Sequence, residues 1–268
     1  MKILILGDIM GPAGREALKN YLGDLIKKES LDFVIVNGEN AADDGLGITK
    51  SIANDFFNYG VDVITSGNHI WDKKETVDYI NLEKRLLRPA NLPEGSPGMG
   101  SGTYFSKNNK FKIGVINLMG NVFMRKSDDA FKKAKELKEK FVLKKNIDFL
   151  VVDFHGETTS EKMAIGHFFD GKTTCAVGRH THVPTADTRI LEKGTAYQTD
   201  IGMCGDYNSV IGMNKENSLK KFLKDKNFER NFPSEGSGTL SGLIIECDHN
   251  TGLAKKANRL ILGGSLNQ

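Results

Sequence analysis

Five short, β-rich apolar runs in this 268-residue chain end in small polar clusters, and that repeated ending constrains the fold more than any other feature. Lys2–Leu6 (KILIL) runs into Gly7-Asp8, and Asp32–Val36 (DFVIV) into Asn37-Gly38-Glu39-Asn40. Asp62–Thr65 (DVIT) runs into Ser66-Gly67-Asn68-His69. Asp148–Phe154 (DFLVVDF) runs into His155-Gly156-Glu157, and Thr173–Val177 (TTCAV) into Gly178-Arg179-His180-Thr181-His182. Continuous apolar runs of this length are typical of strands covered on both faces. A glycine precedes the polar group in four of the five endings, where it permits a sharp turn and a close backbone approach. Ligands of open α/β sheets bind just beyond the carboxyl ends of the strands. The five endings therefore predict one shared site.

Helical patterns separate the runs. They cover Arg15–Lys28, a helix capped by Thr49 and reaching Asn58, and Lys73–Ile80. A longer helix is predicted over Asp128–Lys145, with Phe131, Ala134, Leu137, Lys138 and Phe141 near helical spacing and its other lysines on a solvated face. The first half thus reads βαβαβα, which favours a parallel sheet covered by helices. The second half is richer in strands, with further candidates at Thr103–Phe105, Lys112–Asn117, Arg189–Leu191, Ala196–Thr199, Gly242–Glu246 and Asn258–Leu262. We expect a single domain over residues 1–268, with two packed sheets and helices outside.

Composition narrows the function classes. With 37 basic against 34 acidic residues, the net charge of +3 provides no broad nucleic-acid-binding field. Cys175, Cys204 and Cys247 are odd in number and never form CxxC, which argues against a disulfide framework or zinc ribbon and for buried thiols in a reducing compartment. The opening MKILILGDIM lacks the pattern of a signal peptide, and no stretch approaches the roughly 20 apolar residues that span a bilayer. A cytoplasmic protein with no membrane partner is expected. A homo-oligomer is compatible with the sequence, which has no heptad repeat to set its order.

Taken singly, Asp8 or Asn68 reads as a turn residue or helix cap, and His155 as a hydrogen-bonded core histidine. His180-Thr181-His182 says more, because alternate residues of an extended segment point the same way. Together, Asp8, Glu39, Asn40, Asn68, His155, His180 and His182 form a nitrogen and oxygen donor set without cysteine, suited to Fe, Mn, Zn or similar divalent ions. Seven donors exceed one tetrahedral zinc and suit two adjacent metals. Two carboxylates against two divalent ions leave net positive charge, which fits a phosphate ester better than a neutral peptide. Gly11-Pro12-Ala13-Gly14-Arg15 reads equally as a device that brings a helix N-terminus near an anion or as a tight turn. Ala41–Gly47 reads as a loop bordering the pocket, and Trp71 as core packing or a pocket wall. No G-x-S-x-G elbow occurs, which disfavours serine hydrolysis.

At these positions the sequence resembles the YmdB-like (DR1281-like) metallophosphoesterases of the calcineurin-like superfamily. The likeness rests on GD-x-x-G at the start, NGENAA, GNH-x-WD, RPAN, DFH, H-x-HVPTAD and TD-x-GM in this order, from Met1 to about Leu262. The resemblance implies a four-layer α/β/β/α sandwich and a dinuclear site, with iron foremost and manganese or zinc as alternatives. It implies 2′,3′-cyclic nucleotide phosphodiesterase activity. By motif position, Asp8, Asn40 and His182 would bind one metal, and Asn68, His155 and His180 the other. Glu39 would bridge them, and His69 would donate a proton.

The chain departs from the wider superfamily where Asp-x-His is replaced by Asp8-Ile9-Met10, with Asn40 taking the histidine's place, and where Glu39 replaces the bridging aspartate. Within the subfamily, Asp43-Asp44 lengthens a loop, and Arg179 stands where a small or hydroxyl residue is usual, to contact substrate phosphate or to face solvent. The expected reaction is attack by a metal-bridging hydroxide on a phosphodiester, a small cyclic nucleotide or an RNA end. Phosphomonoesterase, nuclease and low-activity regulatory readings stand beside it.

Overall fold

The structure, a computed structural model, describes residues 1–266. Its strands are β1 (Lys2–Ile9), β2 (Phe33–Asn37), β3 (Val63–Thr65), β4 (Ser101–Phe105), β5 (Lys112–Met119), β6 (Phe149–His155), β7 (Cys175–Arg179), β8 (Arg189–Ile190), β9 (Ala196–Gln198), β10 (Met203–Cys204), β11 (Leu240–Cys247) and β12 (Ala254–Leu262). Its helices are α1 (Gly11–Glu29), α2 (Lys50–Asn58), α3 (Lys74–Leu82), α4 (Ala130–Lys140), α5 (Thr159–Phe169) and α6 (Lys215–Phe222). The strands form two six-stranded sheets: β12-β11-β1-β2-β3, with β10 also paired to β1, and β4-β5-β6-β7-β9-β8. In the first sheet β1, β2 and β3 are parallel; in the second β5, β6, β7 and β9 are parallel.

Alternation along the strands builds the layers. Ile3 and Ile5 of β1, Phe33 and Ile35 of β2, and Val63 of β3 meet Ile113, Val115, Phe149, Val151 and Val177 between the sheets. Leu4, Leu6, Val34 and Val36 point the other way, onto Leu18 and Leu22 of α1 and Phe56 of α2. On the far side, Ile116, Leu150, Val152 and Phe154 pack under Ala134 and Leu137 of α4 and Ile165 and Phe169 of α5. Strands buried on both faces need apolar residues at every position, which is why they read as unbroken apolar runs. The result is the four-layer α/β/β/α sandwich expected.

Four elements depart most from the sequence reading. The helix predicted to reach Lys145 ends at Lys140. There Asn146 accepts from the Val142 N–H at 2.9 Å and donates to the Lys140 carbonyl at 2.7 Å, closing a turn in place of further helix. β10 and α5 were not anticipated, nor was α6. Thr49 caps α2 as expected, its hydroxyl accepting from Ile52 N–H at 3.2 Å. Gly11–Arg15 is not a separate turn but the first part of α1, and the Gly11 N–H is taken by the Asn40 carbonyl at 2.8 Å. Among the described residues no helix is long and apolar enough to cross a membrane.

Candidate metal centre

The parallel strands of both sheets place their carboxyl ends at one edge of the sandwich. The first sheet supplies Asp8 from β1, Glu39 and Asn40 after β2, and Asn68 and His69 after β3. The second supplies His155 at the end of β6, and His180 and His182 after β7. A cavity of about 330 Å³ opens here, lined in part by Met10, Glu39, Asn40, His69, His180 and His182. Leu46, from the Ala41–Gly47 loop, also lines it, with Ile211 and Met213.

The donor atoms are crowded. His155 Nε2 lies 2.9 Å from Glu39 Oε1, 3.1 Å from Asn68 Oδ1 and 2.9 Å from His180 Nδ1. One imidazole N–H cannot serve three acceptors at once. Separations near 3 Å are what ligands about 2.1 Å from a common cation would show. Glu39, His155 and His180 each offer a ligand atom within 4.8 Å of the others. On the other side His182 Nε2 lies 3.6 Å from Asp8 Oδ2. Its Nδ1 donates to the Ile211 carbonyl at 2.7 Å, which leaves Nε2 as the free lone pair, as in metal-ligating histidines. Asn40 donates through Nδ2 to the Gly45 carbonyl at 2.8 Å, so its Oδ1 is the free atom. Among the described residues Asp8 Oδ1 and Asn40 Oδ1 are buried without a hydrogen-bond partner, Arg179 Nη1 standing 3.7 Å from the former, an arrangement that favours a cation beside them.

Electrostatics follow from burial. Burial raises the Asp8 carboxyl, against the pull of His155, His182 and Arg179. Burial also works to raise Glu39, but the charge and hydrogen bond of His155 and the His69 N–H outweigh it and hold Glu39 at about 2. His180 is pushed down to about 3 by burial and by its neighbour His155, so it is a neutral donor. Gly67 permits the packing, because a Cβ there would collide with His155 Cδ2 and Glu39 Oε2.

All seven expected donor residues meet at this edge, and His69 lines the cavity. Two readings need correction. His180 and His182 do not face one way because the chain is extended. β7 ends at Arg179, and both histidines lie in left-handed backbone, φ 98° and 66°, so a turn rather than an extended segment carries both to the cavity wall. Arg179 neither faces solvent nor lines the pocket. It is wholly buried between the sheets, donating from Nε to Asp153 Oδ2 at 2.7 Å and from Nη1 to the Leu6 carbonyl. The intersheet carboxylate of Asp153 draws it inward. Trp71 packs against the helix-side core and the three cysteines are buried.

Sequence reasoning missed two partners. His69 Nδ1 is 2.6 Å from Asp72 Oδ2, and Arg125 donates to the same carboxylate at 3.0 Å. Burial works to raise Asp72, but the bonds from Arg125 and His69 lower it on balance. The three-residue spacing of His69 and Asp72 was the available signal. Glu157, 3.2 Å from His180 Nε2, stood beside His155 in the sequence without a role.

A four-layer sandwich with imidazoles, carboxylates and amides converging across its two sheet edges defines a metallophosphoesterase, an enzyme that hydrolyses phosphoric esters. Residues 4–260 match the YmdB-like protein family, and the chain belongs to it. A Bacillus subtilis protein named 2′,3′-cyclic-nucleotide 2′-phosphodiesterase is 46% identical over 267 residues, covering 98% of this chain and 97% of its own. A Mycoplasma pneumoniae structure described as a novel phosphatase superposes with TM-score 0.88 at 40% identity, covering 100% of this chain and 96% of its own. A Thermus thermophilus structure described as a hypothetical protein gives 0.89 at 34% identity, covering 99% of this chain and 100% of its own.

Proposed function

We propose that this chain hydrolyses 2′,3′-cyclic nucleotides at a dinuclear metal centre. The observation that carries the reading is the meeting of Glu39, His155 and His180 donor atoms within 4.8 Å, with Asp8 and His182 beside them. Asp8, Asn40 and His182 would hold one divalent cation and Asn68, His155 and His180 the other, with Glu39 available to both. Iron, manganese and zinc all suit these donors. When bound, such cations lower the pKa of water and offset charge on phosphoryl oxygens.

The protein's own groups do the rest. Asp72 orients the His69 ring through Nδ1 and leaves Nε2 to exchange a proton. As a water oxygen bonds to phosphorus and the bond from phosphorus to one ribose oxygen breaks, the Nε2 proton passes to that oxygen, and the proton given up by the attacking water restores Nε2. The cavity is open, so a free cyclic nucleotide and the cyclic end of a short RNA present the same ester to it.

The test is hydrolysis of 2′,3′-cyclic AMP and bis(p-nitrophenyl) phosphate by protein purified without chelator, alongside elemental analysis. Activity on both, lost with EDTA and regained with Mn²⁺, supports the reading. Metal-free protein that turns over at full rate in EDTA refutes it. The phosphatase description of the Mycoplasma pneumoniae relative favours a second reading. Faster turnover of p-nitrophenyl phosphate than of the diester would establish it.

A further inference from the structure

The stretch Thr199-Asp200-Ile201-Gly202-Met203 takes no part in the reaction above, yet it is tied to both halves of the site. Asp200 is 1% exposed and accepts four hydrogen bonds. Its Oδ2 receives Lys162 Nζ at 2.7 Å, Thr181 Oγ1 at 2.8 Å and Thr181 N–H at 3.2 Å. Its Oδ1 receives the Gly202 N–H at 2.8 Å, and the Gly202 carbonyl accepts the Asp8 N–H at 3.2 Å. Thr181 is the residue between His180 and His182. One carboxylate therefore connects the turn carrying two imidazoles to the backbone of the strand carrying Asp8.

Lys162 is as deeply buried as its partner, an uncommon place for a lysine unless it is paired. It reaches Asp200 from α5 by crossing β7 at Gly178. A Cβ on Gly178 would stand 2.6 Å from Lys162 Cδ and would collide with the Thr199 carbonyl, so glycine there leaves room for the crossing. A buried ion pair adds little to stability by itself, because desolvation offsets the attraction. What it does here is hold an anionic acceptor against a turn that the backbone resists. Left-handed backbone is unfavourable for residues other than glycine and persists only where surrounding contacts over-determine it. His180 and His182 are two such residues flanking Thr181.

We propose that Asp200, held by Lys162, is a positioning residue that fixes the His180-Thr181-His182 turn in its metal-ligating conformation and so sets metal affinity. This rests on the reading of His180 and His182 as ligands. Thr181→Val removes the hydroxyl bond to Asp200, and Thr181→Ser keeps it. Asp200→Asn puts an amide N–H₂ among donors, opposite the Lys162 ammonium.

The experiment is Co²⁺ binding to metal-free protein by competition with a chromogenic chelator. The visible Co²⁺ spectrum and thermal unfolding in EDTA are recorded on the same samples. Losing a group that orients a ligating histidine weakens metal affinity about 10–100-fold. Thr181→Val and folded Asp200→Asn are expected in that range with an altered Co²⁺ spectrum, while Thr181→Ser binds like wild type. Thr181→Val carries the test if Asp200→Asn does not fold. Wild-type affinity and spectrum in a folded Thr181→Val protein would overturn the proposal alone. A wild type that binds no Co²⁺, or that binds it equally after His182→Ala, would overturn the metal reading and this proposal with it.

Discussion

Replacing Arg179 with methionine exposes what its burial implies. Arg179 and Asp153 are both 0% exposed and 2.7 Å apart, and among the described residues the only other hydrogen bond to Asp153 Oδ2 comes from Thr65 Oγ1 at 2.5 Å. Arg179→Met leaves an anion between the sheets with one hydroxyl for company and takes a donor from the Leu6 carbonyl. Removing one partner of a buried pair costs about 3–5 kcal/mol. At about 2–4 °C per kcal/mol for a chain near this size, the melting temperature should fall by roughly 6–20 °C. The double variant Arg179→Met/Asp153→Leu should recover most of that loss, since apolar replacement of both partners is about neutral or better. Thr65 then keeps its bond to the Val36 carbonyl at 3.2 Å. Thermal and urea unfolding are followed in EDTA, because His180 is next in the chain and metal loss must not contribute. A single variant within about 1 kcal/mol of wild type, or a double variant no better than the single, refutes the reasoning.

His69→Ala should lower turnover of the cyclic ester by roughly 10²- to 10⁴-fold with metal content unchanged, measured by steady-state kinetics and elemental analysis. Equal turnover removes His69 from the reaction. Phe149→Ala opens a cavity between the sheets and should cost about 3–5 kcal/mol in urea unfolding. Thr49→Ala deletes the cap of α2 and should cost about 1 kcal/mol by the same assay, with activity intact.

The strand endings were legible because burial on both faces forces unbroken apolar runs, and a donor at a parallel strand's carboxyl end has only one edge to face. Asp8, Glu39, Asn40, Asn68, His155, His180 and His182 could be brought together on that argument. What could not be read depends on contacts distant in sequence. Arg179 looks like a surface cation until Asp153 on the neighbouring strand is known to sit beside it. Lys162 looks like a solvated lysine for the same reason, and the glycine that admits it lies on another element. α5 was missed because its sequence, TSEKMAIGHFF, carries a glycine that packs on Tyr197 and no clear polar stripe. β10 is two residues long, too short for any periodicity. Positive φ at His180 and His182 has no marker in residue type, so the extended reading of the turn was natural and wrong.

The pairing of β10 with the end of β1, Asp8 opposite Met203 and Ile9 opposite Cys204, has a consequence for the order of events during synthesis. β10 lies far along the chain from Asp8, so the strand that clamps it emerges roughly 10–40 s after it at about 5–20 residues per second. β11, which flanks the rest of β1, comes later still. Until then β1 has β2 beside it, with Asn37 opposite Asp8, and its other edge is unfilled. The Asp8 carboxylate therefore reaches its final setting only once β10 and β11 have closed on β1.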